Sequence, residues 1–192
     1  MHLRRIASFV LGIWLGGSVL LAFAAMGNFS TVNRVVANPA PLAARLIQPL
    51  GPERSRELLR SLAAEENSRY FQAWELTQFA LGLILGAVLL LDRRGWLLPS
   101  LCGVMLLLVA FLHFRVTPEM VWLQRTVEFL PAGASTPERT HFMTLHHVYS
   151  TIEIIKILLG CVITGILFTI RPGRRHRSKT ERAAIPTLER RG

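Results

Sequence analysis

Residues 148–170 read VYSTIEIIKILLGCVITGILFTI. As a helix rising ~1.5 Å per residue, this run is long enough to cross the ~30 Å hydrocarbon core of a bilayer. Glu153 and Lys156 lie inside it. An ionisable side chain at membrane depth is costly and normally faces a partner or a wet cavity rather than lipid. The run therefore decides the fold class and points to the place where function is to be sought.

Three more runs of similar length precede it: Ile6–Met26, Phe71–Leu91 and Trp96–Phe114. Together they explain why 51% of the 192 residues are hydrophobic and why mean hydropathy is +0.38. Only Glu75, Glu153 and Lys156, with His113 near one end, place strongly polar side chains in these runs. The pattern predicts an all-α membrane protein: four transmembrane helices in an antiparallel bundle, with amphipathic helices in the two outer loops. Residues 1–170 form a single transmembrane domain in this reading, and residues 171–192 a basic, disordered tail.

The net charge of +10 invites a nucleic-acid reading, but its distribution favours a membrane. Arg4, Arg5, Arg93, Arg94 and the tail from Arg171 hold 12 of the 22 basic residues, against only Asp92, Glu181 and Glu189. Cytoplasmic segments of membrane proteins are enriched in Lys and Arg. Both termini are expected inside, with the lipid bilayer rather than nucleic acid as the partner. Arg exceeds Lys by 20 to 2, which fits a GC-rich bacterial genome and a cytoplasmic (inner) membrane.

Arg4-Arg5 followed by an apolar run and Ala22-Phe23-Ala24 also resembles a signal peptide. The run exceeds the ~7–15 residues of a signal core, so a retained helix is expected. Cys102 and Cys161 lie in apolar runs without metal-ligand spacing and read as small hydrophobes. No P-loop, dinucleotide fingerprint, catalytic triad or HExxH motif is present, and an enzyme is the less favoured reading.

Ser8, Gly12 and Gly16 in the first run, and Gly82 and Gly86 in the second, recur every four residues. Such stripes let helix backbones approach closely in lipid, so a tight hairpin of the first two helices is expected. Pro39, Pro41, Pro49, Gly51 and Pro52 punctuate the intervening loop. From Glu53 onward, Leu58, Leu59, Leu62 and Ala63 show helical periodicity that runs into the second span. Thr117-Pro118-Glu119 and Thr136-Pro137-Glu138 each read as a helix start, an N-cap followed by proline and an acid. Pro131 is expected to end the first of these helices, and Arg171-Pro172-Gly173 the last span. By position, Trp74, Trp96 and Trp122 read as interface anchors and Trp14 as packing.

On the fourth helix His146, Tyr149, Glu153, Lys156 and Gly160 share one stripe. Antiparallel alignment brings His113 level with Glu153, and Glu75 near the same outer layer. Glu75, His113, His146, Tyr149, Glu153 and Lys156 thus form the candidate intramembrane polar site. Three uses of such a layer are open. His113 and His146 suit haem iron or copper. Glu75, Glu153 and Lys156 suit a small-solute or proton pathway. Alternatively Glu153 and Lys156 are a buried i,i+3 pair that serves packing alone.

Gly12-Ile13-Trp14-Leu15-Gly16-Gly17, Val116-Thr117-Pro118 and Phe142-x-x-Leu145-His146-x-x-x-Ser150 resemble motifs of a four-helix bacterial membrane family of unknown function. That family is related to transmembrane protein 205-like proteins, and distantly to copper-resistance D-like and HemJ-like proteins. The resemblance spans about Arg5 to Ile170 and implies a four-helix fold with haem or copper as a possible cofactor. The first apolar run departs from the haem-binding relatives in carrying no histidine. The leading expectation is a scaffold or accessory membrane protein, docking a membrane-protein partner or a second copy of itself.

Overall fold

The computed structural model describes residues 2–92, 95–127 and 136–169, and the described residues are helical almost throughout. α1 spans His2–Ala37, α2 Pro41–Ile47, α3 Pro52–Leu91, α4 Leu97–Phe111, α5 Thr117–Val127 and α6 Pro137–Thr169. A 3-10 turn at Gln48–Leu50 links α2 to α3, and a π-helical turn at Leu112–Val116 links α4 to α5. Four rods, His2–Ala37, Pro52–Leu91, Leu97–Val127 and Pro137–Thr169, are long and apolar enough to cross a membrane. They pack in a ring, α1 on α3 and α6, and α4 on α3 and α6. The protein is thus an all-α, four-helix membrane bundle.

Its surface explains the choice of solvent. Phe9, Leu20, Phe23, Leu83, Leu107, Leu158 and Phe168 all face outward. Contiguous apolar surface of this extent is incompatible with water and expected against lipid. The interior holds Leu11, Trp14, Leu85, Cys102, Met105, Val109 and Ile163 in one apolar cluster. At one end Arg4 donates to the carbonyl of Leu167, satisfying one of the orphan acceptors in the last turn of α6. The opposite, distal end carries the connection from α1 through α2 to α3.

As its periodicity predicts, the amphipathic segment after Pro52 runs unbroken into the second span as the first half of a 40-residue rod. Gly51, at φ 75°, makes the reversal before it in the left-handed region that glycine tolerates. Other local expectations change. Thr117-Pro118-Glu119 does not begin a separate helix. The π-helical turn carries α4 straight into α5, and the wider turn accommodates Pro118, which lacks the N–H of a regular helix. Thr136 does act as an N-cap, its Oγ1 accepting from Arg139 N at 3.3 Å. The Arg93-Arg94 turn, Pro131, Arg171-Pro172-Gly173 and the basic tail lie outside the described residues.

The glycine stripe also falls differently. Gly12 and Gly16 are exposed, with open space where a Cβ would stand. The packing face of α1 is Ala7, Val10, Leu11, Trp14 and Ser18. There Gly17 meets the Trp74 indole, and Gly82 meets Leu106 and Trp14. Gly86 lies opposite Cys102 Sγ, and Ser8 is only half-buried. The α1–α3 contact is close, but Gly17 rather than Gly12 or Gly16 admits the bulky partner.

Candidate functional site

The polar side chains inside the bundle fall into two linked groups. In the first, Glu75 on α3 is fully buried. Its Oε2 lies 2.9 Å from His113 Nδ1, and its Oε1 accepts from Thr117 Oγ1 at 2.6 Å. His113 sits on the π-helical turn, edge-on to Phe79 and Phe114. A π-helical turn shifts the register of a helix, and here His113 and Thr117 reach the same carboxylate. That pairing satisfies the rule that a buried charge needs partners.

In the second group, Lys156 on α6 is fully buried. Its Nζ donates to Glu153 Oε1 and to Gln78 Oε1, both at 2.6 Å. Gln78 in turn donates to Ser18 Oγ at 3.2 Å, and Trp74 Nε1 donates to the same hydroxyl at 3.3 Å. The chain of contacts thus runs from α6 through α3 to α1. Trp74, expected as an interface anchor, turns inward instead. Gln78, Ser18 and Thr117 are the members that the sequence reading did not place in the polar site. Charge draws attention in an apolar run, whereas a neutral amide or hydroxyl reads as tolerated packing.

Beside both groups lies a cavity of about 340 Å³, between the distal halves of α1, α3, α5 and α6. Its size falls at the low end of the ~300–1,000 Å³ typical of ligand pockets. Apolar side chains such as Leu21, Met26, Phe71, Met120 and Ile157 make most of the wall. From α6 the lining residues are His146, Tyr149, Ser150, Glu153, Ile154 and Ile157, one helical face. Ser18, Ser68, Thr117 and Gln124 add neutral polar groups. Contacts beyond the apolar core hold these walls together: Asn28 donates to Asn67 across α1–α3, and Ser68 to Gln124 across α3–α5. His141 meets Glu119 at 3.3 Å across α5–α6.

Tyr149 is the distinctive lining residue. It is 7% exposed, and its hydroxyl lies near the Glu75 carboxylate without making a well-formed hydrogen bond among the described residues. An edge-on ring contact with Phe71 at 5.4 Å fixes its orientation. A buried hydroxyl left without a partner costs ~1–3 kcal/mol. Its position on the cavity wall gives a reason for that cost to be tolerated.

The structure therefore joins Glu75 to His113, and Glu153 to Lys156, with Tyr149 on the wall between. His146 has a different setting, at the cavity with its ring stacked on Phe142. His113 belongs to the Glu75–Phe79–Phe114 neighbourhood and does not line that cavity. No group of three His, Cys, Asp or Glu among the described residues is close enough to hold a metal ion. His113 and His146 thus lie in different neighbourhoods of the bundle. No protein-family model matches the chain, and neither a curated protein nor a solved structure matches it.

Proposed function

We propose that this protein binds a small, mostly apolar molecule with one polar head in the cavity between α1, α3, α5 and α6. The observation that carries the reading is the cavity itself, mostly apolar in its walls and lined at one side by Tyr149 and the Glu153 carboxylate. A polar layer serving packing alone would be expected to satisfy its own donors. Gln78 and Lys156 do so within the bundle, whereas the Tyr149 hydroxyl has only the nearby Glu75 carboxylate, already held by Thr117 and His113. In this reading Trp74, Phe71 and the α1 aliphatics hold the apolar body, and Tyr149 holds the head. The setting is a bacterial cytoplasmic membrane with both termini inside, which the distribution of basic residues supports.

Purified protein in lipid nanodiscs is titrated calorimetrically with 2-phenylethanol, with empty nanodiscs as the blank. Saturable binding is expected, and Ser150→Trp, which fills the cavity from α6, is expected to abolish it. Partitioning identical to the blank, or binding unchanged by a correctly folded Ser150→Trp protein, overturns the proposal.

A further inference from the structure

The cavity is uneven in charge. Of its lining residues only Glu153 bears a formal charge when His146 is neutral. Lys156 is fully buried behind the wall, its ammonium directed at Glu153 Oε1 and Gln78 Oε1. A molecule in the cavity therefore meets the carboxylate and not the ammonium. Behind Thr117 and Tyr149 stands a second carboxylate, Glu75, bound by Thr117 and His113. A low-dielectric site beside the Glu153 carboxylate favours an incoming positive charge over a negative one.

The aromatic wall favours the same sign. Phe71, Trp74 and Tyr149 line the same cavity as Glu153, and aromatic rings attract cations at their faces. Tyr149 Oη has acceptor lone pairs available for an N–H donor. An anion would instead meet the Glu153 carboxylate. Resting on the cavity reading above, we propose that the ligand is an amphipathic organic cation: a protonated amine on a compact apolar or aromatic body, its nitrogen between Glu153 and Tyr149.

Three probes of nearly equal shape separate charge from fit: 2-phenylethylammonium, 2-phenylethanol and phenylacetate. Each is titrated into the protein in nanodiscs of zwitterionic lipid, against empty nanodiscs. The ammonium is expected to bind about tenfold or more tighter than the alcohol, the equivalent of ~1.4 kcal/mol, and phenylacetate weakest of the three. Glu153→Gln is expected to bring the ammonium and the alcohol to nearly equal affinity. Because that variant alters the partner of Lys156, the comparison of probes on the unaltered protein stands as an independent measurement. Equal binding of ammonium and alcohol to the unaltered protein overturns the cation assignment while leaving the cavity reading intact. Saturable binding of none of the three overturns both.

Discussion

Lys156 Nζ and Gln78 Oε1 lie 2.6 Å apart across the α3–α6 interface, both side chains fully buried. This contact, with Glu153 on the other side of the ammonium, lets a cation stay inside an apolar bundle. Gln78→Leu removes one of two acceptors and is expected to destabilise the protein by about 1–3 kcal/mol. Equilibrium unfolding in mixed micelles measures it. Retained stability would show that the ammonium has another acceptor.

The Glu153–Lys156 pair, at 2.6 Å, is expected to show strong coupling. Removing one partner of a buried pair costs ~3–5 kcal/mol, whereas replacing both can be neutral. Glu153→Gln and Lys156→Met are each expected to lower stability, and the double substitution less than the sum of the two. A double-mutant cycle on unfolding free energy reads this directly, and additive losses would contradict it.

Thr117 donates to the buried carboxylate of Glu75 at 2.6 Å. Thr117→Val keeps the shape and removes the donor, so a loss of ~1–3 kcal/mol is expected. Thr117→Ser keeps the hydroxyl and is expected to restore most of it. Equal effects of valine and serine would mean that packing, not the hydrogen bond, sets the cost.

Two adjacent glycines on α1 should behave oppositely. A Cβ on Gly17 would overlap the Trp74 indole, which is held by its bond to Ser18, so Gly17→Ala is expected to cost ~1–3 kcal/mol. Gly16 faces open space, and Gly16→Ala is expected to be neutral or to stabilise by up to ~1 kcal/mol through helix propensity. Thermal unfolding of the two variants side by side is the check.

The span count was legible because ~20-residue apolar runs have few other physical solutions. The ion pair of Glu153 and Lys156 was legible from i,i+3 spacing, since both residues lie on one helix. What escaped depends on relations between helices. Gly12, Gly16 and Gly17 differ by rotations about α1, and only the position of Trp74 decides which of them admits a neighbour. Thr117-Pro118 reads as a helix start unless the preceding turn widens, as Leu112–Val116 does. His113 and His146 could be levelled along the bundle axis, yet depth alone did not say that they face different neighbourhoods.

The central claim, that Tyr149 meets a ligand in the cavity, is open to direct observation. The chain has two tyrosines, so Tyr70→Phe protein with isotope-labelled tyrosine carries a single tyrosine signal, that of Tyr149. Magnetisation transfer from bound 2-phenylethanol or 2-phenylethylammonium to the Tyr149 ring is expected, and is expected to vanish with Ser150→Trp. Saturable binding with no transfer to Tyr149 would contradict the claim.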